Sequence, residues 1–331
     1  MLRVLFAGTP ECAVPSLEAL ARAHRVVAVL TNPPAPAGRS GSPVPSPVEA
    51  AARRLMAEGA IAPDTPIITP EKLNDAVRAE IARARPDIMA CFAYGKIFGP
   101  KTLALFPLGA VNVHPSLLPR WRGCAPVPAA ILARDRETGI TVQKMALEMD
   151  SGDVIAQMRI PLDGTETAES LLAHASALGA PLLVDAIGRF ERGPVEGTPQ
   201  DGSRATYCAM LRKEDGEIDW KLSAADIDAK IRAYAPWPGA FTVAGGNVLL
   251  VHKAHVHIEN PAQSSAQAVP GSIVGIDKKA GILVQTGDGI LALETLQWRT
   301  KKALDFKSFL NGTRNFPDMI LGQNGTEGRN T

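Results

Sequence analysis

Residues 3–31 read Arg-Val-Leu-Phe-Ala-Gly-Thr-Pro-Glu-Cys-Ala-Val-Pro-Ser-Leu-Glu-Ala-Leu-Ala-Arg-Ala-His-Arg-Val-Val-Ala-Val-Leu-Thr, and this stretch decides the fold class. The apolar run Arg3–Ala7 ends at Gly8, Pro15–Ala23 has apolar residues at helical spacing, and His24–Thr31 is a second apolar run rich in valine. Apolar runs of this length predict buried strands, and the segment between them predicts a helix. A strand, a helix and a second strand in this order are typical of a parallel sheet.

The same alternation continues through the first half of the chain. It predicts helices at Val48–Glu58, Glu71–Arg85 and Ala125–Ala133, and strands at Asp87–Ala93, Ala110–His114 and Gly139–Met145. Strands that alternate with helices give a doubly wound, mostly parallel α/β sheet of Rossmann-like type. Ligands of such sheets bind at the carboxyl ends of the strands.

The pattern changes in the second half. Residues 193–207 are rich in Gly, Pro, Ser, Thr and Gln and are interpreted as a linker. After one helix at Ser223–Tyr234, short strands follow at Phe241–Val243, Val248–His252, Gly271–Ile276, Ile282–Thr286 and Gly289–Leu296. Short strands with turn signals predict a small β-barrel of the oligonucleotide-binding type. The predicted organisation is a catalytic domain at 1–192, the linker, a barrel at 208–315 and a frayed tail at 316–331.

Composition excludes several classes of protein. The 331 residues are 46% hydrophobic and 21% charged, with a net charge of +1, so the chain can bury a core and has no strongly basic or acidic character overall. The four cysteines have no paired spacing, which argues against a zinc site or a disulfide framework. No signal peptide is recognised, and the apolar runs fall short of the ~20 residues of a membrane span. We therefore expect a cytoplasmic protein.

The candidate site begins where the Ala110–His114 strand ends. Residues 112–123 read Asn-Val-His-Pro-Ser-Leu-Leu-Pro-Arg-Trp-Arg-Gly. Side chains alternate along a strand, so Asn112 and His114 are expected on the same face. A neutral hydrogen-bond donor beside a group that carries protons suits a carbonyl that becomes tetrahedral. A strand-end asparagine and a half-buried histidine with packing roles alone give the same pattern.

Three other patterns in the sequence carry weaker functional signals. Asp150, in the turn Met149–Asp153, is a candidate to orient His114, although an aspartate in such a turn more often caps it. Gly8-Thr9-Pro10 lacks the full glycine fingerprint of a dinucleotide site. Three tryptophans of the second half are stacking platforms for nucleic acid or, in the favoured interpretation, packing residues: Trp220, Trp237 and Trp298.

Motifs along nearly the whole chain are similar to those of the methionyl-tRNA formyltransferase family, whose fold is shared with glycinamide ribonucleotide transformylase. In the first half these are Phe6–Pro10, Pro36–Arg39, Ala93–Ile97, Asn112–Gly123 and Met149–Asp153. In the second half they are Ile218–Trp220, Ile231–Tyr234, Pro236–Pro238, Pro270-Gly271, Thr286–Gly289 and Lys301–Ala303. The first-half motifs specify the formyltransferase fold, and those of the second half specify the branch that acts on tRNA.

This resemblance implies transfer of a formyl group from 10-formyltetrahydrofolate to the α-amino group of methionine on initiator tRNA, without a metal ion. It implies that Asn112, His114 and Asp150 are catalytic, with protonated His114 and Asn112 stabilising the oxyanion. The folate site would comprise Ser116, Leu117, Leu118, Pro119, Lys96, Ile97 and Phe98, with a cis bond before Pro119. Arg39, Lys301 and Lys302 would contact tRNA, and the protein would act as a monomer without a membrane partner.

The chain departs from the family pattern in the proline-rich segment Asn32–Pro47. The family usually continues from the Gly-Arg pair into basic residues, whereas here Gly38-Arg39 precedes Ser40-Gly41-Ser42. Two other acceptors, an amino-sugar nucleotide and water, go with the same Asn–His–Asp set. The C-terminal barrel and the Pro36–Arg39 loop argue against the first, and enzymes that use water carry a different regulatory domain. An RNA-binding protein with an inert α/β half is a further alternative that the intact set disfavours.

Overall fold

A computed structural model describes residues 1–36, 41–258, 268–313 and 315–323. The chain divides into two compact units. The first unit contains Met1–Pro126, Glu137–Pro161 and Leu171–Ala209, and the second contains Val127–Arg136, Leu162–Ser170 and the chain from Met210 onward.

The first unit is built on a seven-stranded sheet. Its strands are β1 (Arg3–Gly8), β2 (Arg25–Leu30), β5 (Ile67–Ile68), β6 (Ile88–Phe92), β7 (Ala110–His114), β9 (Glu137–Lys144) and β10 (Val154–Pro161). They lie in the order β10-β9-β7-β6-β1-β2-β5 across the sheet. The five strands from β5 to β7 run parallel, and β9 and β10 add an antiparallel edge. The predicted mostly parallel sheet is confirmed.

Helices and two small sheets complete the elements up to residue 208. The helices are α1 (Val14–Ala23), α2 (Pro47–Ala57), α3 (Asp75–Arg83), α4 (Pro100–Leu103), α5 (Pro126–Leu132) and α6 (Ala168–Phe190). The small sheets pair β3 (Ala35–Pro36) with β4 (Pro43–Val44), and β8 (Arg122–Gly123) with β11 (Tyr207–Cys208). Helix α3 begins at Asp75 and not at Glu71, because the Asn74 side chain accepts a hydrogen bond from the Val77 amide, as an N-cap does.

Helix α6 is an apolar helix that was not predicted from the sequence. Its 23 residues are long and apolar enough to cross a membrane by length and composition, which the sequence analysis did not expect of any segment. Its buried face packs on the sheet, where a Cβ added to Gly179 would lie 3.2 Å from Val113 of β7. A core helix of this kind is apolar because it covers a sheet.

The second unit is built on an antiparallel sheet. Its strands are β12 (Ala240–Ala244), β13 (Asn247–His257), β14 (Ile273–Asp277), β15 (Gly281–Gln285), β16 (Ile290–Trp298) and β17 (Leu304–Asp305), and its helices are α7 (Ala224–Ala233) and α8 (Phe306–Gly312). The strands lie in the order β12-β13-β16-β15-β14, and β17 pairs with β16. The antiparallel sheet confirms the predicted all-β part. Closure into a barrel stays a prediction, because no ladder joins β12 to β14 within the described ranges.

Two of the three tryptophans in question have packing roles. Trp220 is buried and donates a hydrogen bond to Thr242 Oγ1 at 3.0 Å, and Trp298 packs against Phe309 and Phe316. Trp237 is 56% exposed. The start of the segment expected to fray is packed as well, since Phe316 and Leu321 are buried in the core of the second unit. Residues 324–331 lie outside the described ranges.

Candidate active site

The end of strand β7 places Asn112 and His114 on one face of the sheet. Asn112 lies opposite Gln143 and His114 opposite Thr141 on the neighbouring strand β9. Directly opposed residues of an antiparallel pair share a face, so these four side chains point to the same side. Val113 points to the other side, where α6 packs. The alternation expected from the sequence therefore places the two candidate residues together.

The imidazole of His114 is buried, is hydrogen-bonded at one nitrogen and has a carboxylate near the other. Its Nε2 lies 2.8 Å from the carbonyl oxygen of Trp121, and its Nδ1 lies 3.6 Å from Oδ2 of Asp150. A carbonyl oxygen only accepts, so Nε2 carries a hydrogen. In the neutral ring Nδ1 then bears the lone pair that faces Asp150. The link between Asp150 and His114, which the sequence left open, is present in the structure.

Burial lowers the pKa of His114 below its ordinary value, although the charge of Asp150 and the Trp121 carbonyl both act to raise it. The carboxylate stabilises the protonated ring, but the loss of solvent around the ring has the larger effect on this pKa. The neutral ring is therefore favoured near pH 7 in the unliganded protein, whereas the expectation of a protonated His114 concerns the step at which the oxyanion forms and stays a prediction.

Asp150 is fixed by hydrogen bonds to both carboxylate oxygens. Its Oδ2 accepts from the Gly123 amide at 2.9 Å, and its Oδ1 accepts from Gln143 Nε2 at 2.8 Å. Asp150 and Trp121, the two residues that contact the His114 ring, both have left-handed backbones, with φ of 52° and 61°. Such a conformation costs an L-residue roughly 1–2 kcal/mol, so the surrounding contacts must hold it.

An unpaired amide lies beside this pair. Within the ranges that the structure describes, the side chain of the half-buried Asn112 makes no hydrogen bond. An amide that is half withdrawn from solvent and has no protein partner is available to a ligand atom. Its donor hydrogens suit a carbonyl oxygen or an oxyanion.

The segment Ser116–Pro119 is fastened to the antiparallel edge of the sheet. Thr141 Oγ1 donates to the Ser116 carbonyl at 2.7 Å and accepts from the Leu118 amide at 3.2 Å. Gln157 donates to the Leu118 carbonyl at 3.1 Å. Leu117 covers Gly139, where an added Cβ would lie 2.4 Å from its Cδ2. The Leu118–Pro119 bond is cis, as predicted.

In the second predicted folate segment, Lys96 to Phe98, the first and last side chains are held by contacts and the middle one is exposed. Lys96 Nζ donates to the Pro70 carbonyl, and Phe98 is buried and stacks on Tyr94 with ring centroids 5.2 Å apart. Ile97 is 82% exposed. An exposed isoleucine between two anchored neighbours offers an apolar contact to a flat ligand.

The residues predicted to contact tRNA are only partly described. Lys301 and Lys302 are exposed between β16 and β17. Arg39 lies outside the described residues. No group of three or more His, Cys, Asp and Glu side chains that could hold a metal ion occurs in the described part of the chain.

Sequence reasoning missed four groups around Asp150 and His114. The Trp121 carbonyl and the Arg122 side chain lie inside the quoted motif but carried no assigned role. Gln143 lies opposite Asn112. The pairing of β7 with β9, once assumed, would have indicated that Gln143 is part of the site. Gln200 lies in the segment interpreted as a linker, and nothing local in the sequence distinguishes it. In the structure residues 193–207 are part of the first unit.

Comparisons with known proteins cover nearly the whole chain. A model of the formyl transferase family matches residues 2–187, and a model of the formyl transferase C-terminal domain matches residues 210–314. The methionyl-tRNA formyltransferase of Treponema denticola is 50% identical over 97% of this chain and 99% of its own length. That of Treponema pallidum is 49% identical over 98% of this chain and 100% of its own length.

Solved structures share the fold. An N-formyltransferase from Helicobacter canadensis, in complex with folinic acid and dTDP-3-aminofucose, has a TM-score of 0.62 at 19% identity. It covers 88% of this chain, and 99% of its own chain is matched. At this identity the likeness concerns the fold alone.

Proposed function

The chain belongs to the methionyl-tRNA formyltransferase family, and on that premise we propose that it transfers the formyl group of 10-formyltetrahydrofolate to the α-amino group of methionine on initiator tRNA. The observation that carries the proposal is the arrangement at the end of β7. The Asn112 amide, which has no partner among the described residues, and the His114 imidazole share one face, and Asp150 Oδ2 lies 3.6 Å from His114 Nδ1.

The transfer needs two things from the protein. The amine nitrogen attacks the formyl carbon, the carbonyl π electrons move to oxygen, and a tetrahedral oxyanion forms. The bond from carbon to N10 of the folate then breaks, its electron pair returns to N10, and the carbonyl re-forms. During this exchange the new amide nitrogen loses a proton and N10 gains one. A donor to the oxyanion and a group that moves one proton are sufficient.

Each of the three residues has one of these tasks. Asn112 donates its amide hydrogen to the oxyanion. His114 takes the proton of the attacking amine at Nδ1, since Nε2 is already bonded to Trp121, and delivers it to N10. Asp150 stabilises the imidazolium that exists between these events, because its carboxylate is fixed on the side of Nδ1. A lowered pKa suits this order, because His114 must be neutral to accept the proton.

We assign the folate to the two segments predicted from the sequence. Leu117 and the exposed Ile97 offer apolar surface to the flat rings, and polar backbone groups of Lys96 to Phe98 and of Ser116 to Pro119, which include the buried Leu118, orient them. The hydrogen bonds of Thr141 and Gln157 hold the second segment against β9 and β10. We assign the contacts with tRNA to Arg39, Lys301 and Lys302, and propose a monomeric cytoplasmic enzyme.

The acceptor is the point that an experiment must decide, because an amino-sugar nucleotide and water use the same donor. Purified protein is incubated with formyl-labelled 10-formyltetrahydrofolate and, separately, with methionyl initiator tRNA, with an amino-sugar nucleotide, or with no acceptor. Label is expected on the tRNA, with unacylated initiator tRNA as the control that stays unlabelled. Label on the sugar, or free formate as the main product, would contradict the proposal.

A further inference from the structure

Gln200 joins a buried arginine to the turn that carries Asp150. Its Oε1 accepts from Arg122 Nε at 3.0 Å and from Arg122 Nη2 at 2.8 Å. Its Nε2 donates to the carbonyl oxygens of Asp150 at 2.9 Å and Gly152 at 2.7 Å. One amide side chain thus bridges a cation and two carbonyl groups of the turn.

The orientation of this amide follows from its partners. A guanidinium group only donates, so the Gln200 oxygen must face Arg122. Carbonyl oxygens only accept, so the NH₂ group must face Asp150 and Gly152. The same polarity continues through Gln143, whose Oε1 lies 3.3 Å from Gln200 Nε2 and whose Nε2 donates to Asp150 Oδ1. In the series Arg122, Gln200, Gln143 and Asp150, each residue donates a hydrogen bond to the next.

We propose that Gln200 is a positioning residue for the formyl transfer, which holds the Asp150 backbone directly and its carboxylate through Gln143. The inference rests on the proposed function, because Asp150 matters only if it serves His114. Neither glutamine titrates, so the series fixes positions and carries no protons. Asp150 has a left-handed backbone at φ 52°, and the bond from Gln200 to its carbonyl is one that stabilises this conformation.

Other charged or titratable groups around the pair do not replace this contact. Arg122 reaches the turn through Gln200, while its Nη1 donates to Tyr207. Burial raises the pKa of Cys91 to about 12 and also raises the pKa of Cys208, so both thiols stay uncharged near pH 7. Asp150, whose Oδ2 lies 3.6 Å from His114 Nδ1 and whose carbonyl accepts from Gln200, is the charged group through which Gln200 acts on His114.

The test begins with Gln200→Met, which keeps the length of the side chain and removes both the donor and the acceptor. The single-turnover rate of formyl transfer is expected to fall about 10- to 100-fold, because a small misplacement near the reacting groups has this effect. The KM for folate should change less than about 2-fold. Asp201→Asn, at an exposed neighbour whose carboxylate accepts hydrogen bonds from Ser203, is the control and should keep the wild-type rate.

Two readouts separate positioning from a general structural role. If Gln200 acts through Asp150, the two effects are not additive. Gln200→Met made in an Asp150→Asn background should then lower the rate less than about 3-fold. The pKa of His114, followed by NMR of the ring in the unliganded protein, should fall in Gln200→Met, because the carboxylate charge that raises it is held less closely.

Gln200→Glu is the second variant, since it keeps the shape and places an acceptor against the Asp150 and Gly152 carbonyls. A wild-type rate in either folded variant, additive losses, or an unchanged His114 pKa would overturn the proposal. Unfolding of both variants would make Gln200 a residue of the fold and would overturn it too. If wild-type protein formylates no tRNA, the proposed function fails separately, and the NMR titration still reports on Gln200.

Discussion

The Nδ1 atom of His114 lies 3.6 Å from Oδ2 of Asp150. The opposite ring nitrogen donates to the Trp121 carbonyl, which leaves Nδ1 as the position where a proton can be gained and lost. In the proposed mechanism, burial favours the neutral ring before the reaction, and the carboxylate stabilises the ring when it becomes charged. A histidine in this setting suits a mechanism in which it first accepts a proton and then donates it.

The pH dependence of the transfer follows from the lowered pKa of His114. The single-turnover rate should rise with pH through a pKa below the ordinary value of about 6.5, because only the neutral ring accepts the amine proton. In Asp150→Asn the charge that raises this pKa is removed, so the acid limb should move to still lower pH while the rate falls. A limb that moves to higher pH in this variant would contradict the assigned roles.

Asn112→Ala removes the donor assigned to the oxyanion. The rate should fall about 10²–10³-fold, as in other enzymes that lose one such donor. The free energy of unfolding should stay close to wild type, because the Asn112 side chain makes no hydrogen bond within the described residues. Asn247→Ala, at the exposed first residue of β13, is the control for the rate. A loss confined to the KM for folate would assign Asn112 to binding.

Gly139→Ala tests the support of the Leu117 segment. A Cβ at this position would lie 2.2 Å from the Met158 carbonyl and 2.4 Å from Leu117 Cδ2. Such overpacking costs about 1–3 kcal/mol, and the displaced Leu117 should also raise the KM for folate. Gly188→Ala, in α6 with no atom within 4 Å of the added Cβ, is the matched control and should stabilise by up to about 1 kcal/mol. Urea denaturation measures both changes.

The proposed contact of Arg39 with tRNA predicts how strongly binding depends on salt. Each phosphate contact contributes about 0.7–0.9 to the slope of log K against log salt concentration. Arg39→Ala should make the slope shallower by about this amount, and Ser42→Lys, which adds a positive charge near Arg39, should make it steeper. Ser42→Gln is the neutral control. Equal slopes for all four proteins would show that this segment contacts no phosphate.

Local patterns in the sequence predicted the elements that carry Asn112 and His114. The Ala110–His114 strand matches its predicted bounds, and neighbouring strands differ from prediction by one or two residues. This success has a physical basis, since a buried strand has a continuous apolar run and a helix has a regular apolar face. The same reasoning placed both side chains at the carboxyl end of a strand.

The groups that hold Asp150 could not be predicted in this way. The pairing of Arg122 with Tyr207 and the bond from Gln200 to the Asp150 carbonyl join residues far apart in the chain. Neither contact produces a periodic pattern in the sequence, because a two-residue bridge or a single amide does not change the local hydropathy. The lowered pKa of His114 was missed for a related reason, since the depth of burial depends on tertiary packing.

The single-turnover rate of formyl transfer to methionyl initiator tRNA in His114→Ala tests the central claim most directly. Removal of a residue that moves the proton should lower this rate about 10²–10⁴-fold at pH 7. His174→Ala, at an exposed position of α6, should keep the wild-type rate. A His114→Ala protein that is folded and transfers the formyl group at nearly the wild-type rate would contradict the account.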